Sequence, residues 1–537
     1  MTVTCDAVVI GAGHNALVTA ILLAKRGLKT LVLERSDRVG GCARTSELAP
    51  GFRCPTLAHV AALDPALVRR LDLERHGLTM IRPAVDACAP SLDGRALVLW
   101  SDRARAAESI RGFSAKDAAE YPRFLESFAR ISGVLRAIAS APPPDIDQPG
   151  AADLLQLLKA GRRFRALGKT DGYRLLRWMP MPVADLVSEW FDSEPLRATI
   201  AAGGILGSFL GPRSAGSAAV LLMLGAGDGQ PVARGWYAAG GPGALADALA
   251  AAARAAGVEI RTGVEVARID VSDEAATGVT LATGESVRAD AVLSGLDPKR
   301  TLLGLIEPMH LEPELIRRVQ NIRMRGTLAK VNYAVSSLPR FASLAALDES
   351  GQREALSGRV RLAPQLDDIE RAFDAAKYGA CSDTPWIELT IPSIADPAMA
   401  PANQHVVSAY VQYAPYPLRT GTWETERDRL GDTATRTIAR YAPGFAASIV
   451  AREVITPQDL ECTYGLTGGH IFHGELALDQ FFLTRPQLGW ARYATPIRNL
   501  FLCGSGTHPG TGLDGRSGAT AAAHLLRNLS SKRLGAR

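Results

Sequence analysis

Asp6-Ala7-Val8-Val9-Ile10-Gly11-Ala12-Gly13-His14-Asn15-Ala16, followed 23 residues after Gly11 by the acid of Val32-Leu33-Glu34-Arg35, reads as a strand, a glycine turn and a helix. Together they form a dinucleotide-binding fingerprint. Gly11 permits the tight turn, Gly13 lets the backbone approach a pyrophosphate, and Ala16 is small enough for helix to pack on strand. The helix N-terminus, at His14 and Asn15, then offers free N–H groups and a positive dipole end to phosphates. Glu34 closes a second apolar strand, where it accepts hydrogen bonds from a ribose and repels a 2′-phosphate. The alternative, a glycine turn that holds no nucleotide, lacks a reason for the correctly spaced acid.

The segment after the acid, Arg35-Ser36-Asp37-Arg38-Val39-Gly40-Gly41-Cys42-Ala43-Arg44-Thr45, separates FAD from NAD. Large flavoproteins continue in this way: Gly40 and Gly41 let backbone pass close to a cofactor, and Arg44 is a charge-assisted donor for the pyrophosphate. A charged surface loop is the rival reading. At the other end of the chain, Asn499-Leu500-Phe501-Leu502-Cys503 leads into the glycine loop Gly504-Ser505-Gly506-Thr507-His508-Pro509-Gly510-Thr511-Gly512 and an alanine-rich helix around Gly518 to Leu526. That helix would aim its dipole at an anionic reduced flavin.

With both ends read, the chain resembles the phytoene desaturase branch of FAD-dependent oxidoreductases. Within it the nearest group holds the large FAD-dependent carotene ketolases and the pyridine nucleotide-disulphide oxidoreductase domain-containing proteins. The likeness spans nearly the whole sequence. It rests on Val9 to Asn15, Glu189-Trp190-Phe191-Asp192-Ser193-Glu194, Gly240-Gly241-Pro242-Gly243-Ala244-Leu245, Asp396 to Pro401, Gly468 to His473, Leu478-Asp479-Gln480 through Arg485-Pro486, Thr495-Pro496-Ile497 and Gly504 to Gly510. The resemblance implies non-covalent FAD and a contact of Val266 with the adenine through its backbone. Two departures stand out. Ser505 occupies the position where many flavoproteins of this fold place an acid for the ribityl chain. The seven cysteines (Cys5, Cys42, Cys54, Cys88, Cys381, Cys462, Cys503) form no C-x-x-C pair, so thiol-disulphide exchange finds no support.

The expected fold class is α/β: a discontinuous Rossmann-like FAD-binding domain with an α+β substrate domain of the amine oxidase or phytoene desaturase kind. Because the flavin-facing segments lie at opposite ends, residues 1–70, 233–300 and 455–537 are assigned to the cofactor domain and 71–232 and 301–454 to the substrate domain. Helices are expected over Asn15 to Arg26, Ala244 to Ala256 and Thr425 to Tyr441. Strands are expected at Val264 to Val271, Thr277 to Leu281, Ala289 to Leu293, Thr327 to Val335, Trp386 to Ile391 and Val406 to Tyr413, with 71–232 mostly helical. Gly240 to Leu245 could form a second nucleotide turn, but no properly spaced strand leads into it.

A hydrophobic fraction of 47% and a charged fraction of 21% place the chain among ordinary globular proteins. A formal net charge of +5 with no basic tract interleaved with aromatics gives no ground for nucleic-acid binding. The first apolar stretch is the fingerprint rather than a signal peptide, and no run approaches a membrane span, so the expected location is cytoplasmic. Lys159, Arg162, Arg163, Arg165, Lys169, Arg174 and Arg177 crowd a leucine-rich segment opposed only by Asp171. This reads either as a solvated helical face or as a peripheral contact with anionic membrane. Nothing in the sequence speaks to the oligomeric state.

For chemistry, His508 and His59 are the candidate proton acceptors, although for each the structural hydrogen-bonder is the favoured reading. His470 and His473 lack a third ligand, so no metal is expected. Covalent flavin attachment through Cys503 or Cys462 is disfavoured. The expected function is FAD-dependent dehydrogenation or desaturation of a largely apolar small molecule, with a flavin amine oxidase and a non-enzymatic escort protein of the same fold as the alternatives.

Overall fold

A computed structural model describes residues 3–60, 63–146, 148–232 and 235–535, apart from the side chains of residue 3 and of 530–535. The first sheet explains why distant segments meet. Its parallel strands run in the order Glu259–Thr262, Thr30–Glu34, Val3–Ile10, Ser286–Ser294 and Leu500–Leu502. Ile10 pairs with Leu33 and Ser294, and Ser294 with Leu502, so these strands end side by side and release Gly11, Glu34, Gly295 and Cys503 along one edge. Ligands of open parallel sheets bind at such a carboxyl edge. The strands Val266–Ser272 and Ala275–Leu281 form an antiparallel meander on Ser286–Ser294.

The second sheet is ordered Ile449–Ile455, Leu328–Val335, His405–Gln412, Trp386–Thr390, Arg359–Leu362, Val85–Pro90 and Ala96–Trp100. Strand alternation gives it one apolar face, with Val331, Val360, Ile387, Leu389, Ala409 and Val411 in a common core. The hairpin Thr45–Ala49 and Phe52–Pro55 lies over its other face. Asn332 Nδ2 donates to the Thr56 carbonyl at 3.3 Å and Ser408 Oγ to that of Pro55 at 3.4 Å, which delivers residues 55–59 from the first sheet to the second.

Several expectations shift. Val85–Pro90 and Ala96–Trp100 interrupt the stretch 71–232, for which mostly helix is expected. Small residues in the first strand hide its β-branched signal, while Asp93-Gly94, with Gly94 at φ 87°, supplies the hairpin turn. The helix over the expected Gly518 to Leu526 runs from Arg516 to Gly535. The boundary placed at 232/233 falls on residues 233–234, outside the described residues. Gly240–Gly241 closes onto protein: Thr45 Oγ1 donates to the Gly240 carbonyl and receives the Gly243 N–H, both at 3.0 Å.

The basic segment forms two helices, Ala151–Ala166 and Gly168–Trp178. Asp171 is buried and receives hydrogen bonds from Ser127 and Arg174. Leu175 of the second helix is buried, whereas Leu154, Leu155, Leu157 and Leu158 of the first are 47 to 66% exposed. No helix among the described residues is long and apolar enough to cross a membrane.

Candidate active site

At the carboxyl edge of the first sheet a cavity of about 340 Å³ runs from the glycine turn to the second sheet. It is lined by Gly11, Gly13, His14, Asn15, Ala16, Glu34, Arg35, Gly41, Arg44, Val266, Gly504, Ser505 and Gly512, and by His59. The turn is built as a cradle. Gly11 has φ +86°, and a Cβ added at Gly13 would meet nothing within 4 Å, because that position opens into the cavity. The helix His14–Ala24 that follows has no side-chain cap. Glu34 is held in place by the N–H groups of Ala12 (2.8 Å) and Ser36 (2.9 Å). Arg44 donates through Nη2 to Ser36 Oγ at 2.7 Å, while its buried Nε has no hydrogen-bond partner. A buried donor without an acceptor is costly, and a pyrophosphate at the helix N-terminus would satisfy it. Gly40 does not line the cavity. Its N–H donates to the Ala12 carbonyl at 2.8 Å, which holds the second loop against the turn.

The two chain ends are locked together by buried hydrogen bonds. Asn15 Nδ2 donates to Ser505 Oγ at 3.1 Å, Asn15 Oδ1 accepts from the Gly518 N–H at 3.2 Å, and Thr19 Oγ1 donates to the Gly518 carbonyl at 2.9 Å. Glycine is required at 518, where a Cβ would collide with the Asn15 carbonyl. His14 Nε2 lies 3.1 Å from the Gly512 carbonyl, and burial pushes its pKa down to about 4. At the start of the last helix two N–H groups are already taken, that of Arg516 by Asp514 and that of Gly518 by Asn15. The helix dipole remains for a bound anion.

His508 stands apart from the candidates that gather here. It does not line the cavity; its Nε2 faces the Ile138 carbonyl at 3.4 Å and its ring meets Phe482 edge-on at 5.3 Å. Burial lowers its pKa to about 4. The motif places it beside the glycine loop, but the backbone turns its side chain outward to the helical region. His470 is buried, and Cys462 and Cys503 do not line the cavity.

His59 does reach the cavity. Its ring stacks on Tyr410 with centroids 3.6 Å apart, its backbone N–H donates to Tyr410 Oη at 3.1 Å, and its Nδ1 lies 3.9 Å from Glu388 Oε1. Neither ring nitrogen has a hydrogen-bond partner. Burial first, then Lys330, hold its pKa down at about 3, so the imidazole is neutral.

Around it stands a polar group that sequence reasoning missed. Arg361, Glu388, Tyr410 and Lys330 are consecutive partners across four adjacent strands and therefore share one face. Arg361 Nε donates to Glu388 Oε2 at 2.8 Å, and Arg359 Nε approaches Oε1 at 3.5 Å. Burial alone would raise the Glu388 pKa, but Arg361 and Arg359 outweigh it and hold the group well below the usual carboxylate range. Burial holds Lys330 well below its ordinary value, with its Nζ 4.5 Å from the Tyr410 ring centroid. The signal is present in the sequence as charges at alternate positions of apolar strands, in Arg359-Val360-Arg361-Leu362 and Trp386-Ile387-Glu388-Leu389. Such residues are rarely buried without a purpose.

Residues 183–526 match the family described as flavin containing amine oxidoreductase, and residues 9–71 an NAD(P)-binding Rossmann-like domain. The chain is 38% identical to pyridine nucleotide-disulfide oxidoreductase domain-containing protein 2 of Rattus norvegicus, over 98% of this chain and 94% of that protein. It is 28% identical to a limonene dehydrogenase component of Castellaniella defragrans, over 98% and 95%. Among solved structures, a putrescine oxidase variant matches with a TM-score of 0.61 at 16% identity, over 98% of this chain and all of that one, which shows a shared fold.

Proposed function

The chain belongs to the flavin containing amine oxidoreductase family, and from that premise we propose that this FAD-dependent oxidoreductase is a dehydrogenase or desaturase of a mostly apolar small molecule. The carrying observation is that the dinucleotide cradle opens without interruption into a pocket walled by Leu206, Leu221, Leu224 and Phe472, with neutral His59 at its inner end. Bound FAD supplies the hydride acceptor. The chain's own residues hold the pyrophosphate (Gly13, Arg44), the ribose (Glu34) and the adenine side (Val266), and the leucine walls exclude water. His59 is the residue we assign to receive the substrate's proton, since its ring nitrogens carry no other hydrogen bond and its imidazolium would sit in the field of Glu388.

A relative that bears the name of a limonene dehydrogenase supports this class over amine oxidation. An amine oxidase would need an aromatic cage, yet the face of Tyr410 is covered by the His59 ring, and the other aromatic lining residues are Tyr464 and Phe472. An escort protein would have no need to keep both halves of the cofactor site. Non-covalent binding is part of the proposal. Cys42 is the cysteine on the cavity wall, and burial holds its thiol up at about 11.

The test begins with the visible spectrum of the purified protein, where flavin bands should pass into the supernatant after denaturation. Anaerobic bleaching by limonene and related terpenes, but not by putrescine, is the expected result, and the reverse preference would move the reading to amine oxidation. His59→Gln should keep the flavin bands and slow bleaching by about 10²- to 10⁴-fold.

The exposed leucines and cations of Ala151–Ala166 suit a supply route for such substrates, and we assign this face to an anionic bilayer surface. Reversing the charges at Arg162, Arg163 and Arg165 should abolish partitioning onto anionic liposomes. Unchanged partitioning would remove the assignment.

A further inference from the structure

A second cavity, of about 1280 Å³, lies away from the flavin site and exceeds the ~300–1,000 Å³ of ordinary small-molecule pockets. It is a slot between the helix Ala151–Ala166 and the last helix, Arg516–Gly535. One wall recurs at helical spacing, in Ala152, Leu155, Gln156, Lys159, Ala160 and Arg163. The other does the same in Ala519, Thr520, Ala523, Leu526 and Arg527. Ala151–Ala166 spans 16 residues and buries one side chain, the acid Asp153. A helix in a folded protein draws most of its stability from the apolar face that it packs, and interiors leave few voids larger than a water molecule. The stripe that faces the slot therefore lacks a partner from the body of the chain.

The slot has an apolar inner end and a basic outer end. Ala519 and Thr520 follow Gly518, whose N–H is held by Asn15 of the glycine turn. Phe482 and Ile138 also line it and touch His508 of the flavin loop. Arg527 lies eight residues beyond Ala519, or about 12 Å along the helix. Arg26 follows the end of His14–Ala24 that is remote from the glycine turn, and Lys25 Nζ ties this end to Arg70 by donating to its carbonyl at 3.1 Å. With Lys159 and Arg163 these make five cations on the lining, against Asp6 and Asp290. Asp6 Oδ2 already accepts the Lys29 N–H at 2.6 Å. All five cations are exposed, and none forms an ion pair among the described residues. Guanidiniums pair phosphate through two parallel hydrogen bonds, so the outer end is complementary to a phosphate group.

We propose that the slot binds one anionic phospholipid, with its acyl chains between the two helices toward Phe482 and its phosphate among Arg26, Arg70 and Arg527. The source is the bilayer, because the same helix presents Leu154, Leu158, Arg162 and Arg165, the face assigned to an anionic membrane, on a side that does not line the slot. The lipid supplies the packing partner that the helix lacks, so the element that meets the membrane is completed by a membrane component. This site needs no flavin and stands apart from the dehydrogenase reading.

Dioctanoyl phosphatidylglycerol and dioctanoyl phosphatidylcholine, each kept monomeric below its micelle concentration, are titrated calorimetrically into the full chain, with octanoate as a single-chain acid. The phosphatidylglycerol should bind at least ~10-fold more tightly than either of the others. Arg70→Gln combined with Arg527→Gln should erase the headgroup preference and leave the phosphatidylcholine affinity unchanged. Ala523→Trp fills the slot from an exposed helix position, so it should keep the Tm and abolish binding of both phospholipids. Equal affinity for the two headgroups, octanoate that matches the phosphatidylglycerol, or binding that survives Ala523→Trp would overturn the site. Light scattering on the lipid-free protein tests the competing occupant: a dimer that Ala523→Trp converts to monomer would show that a second copy fills the slot, and the proposal fails. The unmodified protein alone decides the headgroup preference, so a variant that fails to fold does not block the test. A colourless protein would sink the FAD reading while the lipid preference stays measurable.

Discussion

Gly13→Val yields a protein that folds but holds no FAD. Gly13 is extended at φ −68°, a conformation valine adopts without strain, and a Cβ there finds no atom within 4 Å. The space is empty of protein because it belongs to the cofactor, so the valine methyl groups occupy what the pyrophosphate needs. Affinity for FAD should fall by more than ~100-fold, equivalent to about 3 kcal/mol. The apoprotein's Tm should match that of unmodified apoprotein, and only the extra stability conferred by bound cofactor should disappear. Gly11→Ala makes the contrast: at φ +86° the alanine is strained, so the fold itself weakens by about 1–2 kcal/mol. A Gly13→Val protein that purifies with full flavin absorbance would show that the turn does not hold the pyrophosphate.

The same glycine marks the limit of what sequence alone could reach. The turn, its acid at Glu34 and the loop through Arg44 are local, and each residue's duty follows from steric rules that hold wherever the motif occurs. The closing loop Gly504 to Gly512 is legible as a glycine-rich segment, but its partnership with the turn depends on Asn15 reaching Ser505 and Gly518, contacts that span 490 and 503 positions. Local pattern contains no such information. His508 shows the consequence, since a histidine next to a cofactor loop in sequence faces Ile138 in space. The polar group around His59 is hidden for the opposite reason. Arg361, Glu388, Tyr410 and Lys330 come from four strands that become neighbours only through sheet register, and each alone looks like an isolated polar residue in an apolar run.

Arg485 stands out in the sequence only as part of a motif, yet its removal should be the most damaging single change outside the turn. The side chain is 2% exposed and lacks a carboxylate partner among its hydrogen bonds: Nη2 donates to the carbonyls of Phe472 at 2.7 Å and Ser505 at 2.9 Å, and Nη1 to that of Glu475 at 3.2 Å. Burial lowers its pKa to about 10, which leaves it charged at neutral pH. Phe472 and Ser505 both line the cavity, so one guanidinium fastens a substrate wall to the flavin loop. In Arg485→Met the stem volume is kept, but the buried carbonyls of Phe472 and Ser505 lose the donor that holds them, at about 1–3 kcal/mol each. The variant should show a lowered Tm as apoprotein and also release FAD more readily, because the loops it joins no longer share one position. Arg485→Lys keeps the charge but offers a compact ammonium in place of the planar fork, so it should fall between the two. Arg485→Met with unchanged Tm and unchanged flavin retention would mean that the loops are held by their apolar contacts alone. A loss of stability without any loss of flavin would detach Arg485 from the cofactor and leave it a staple of the fold.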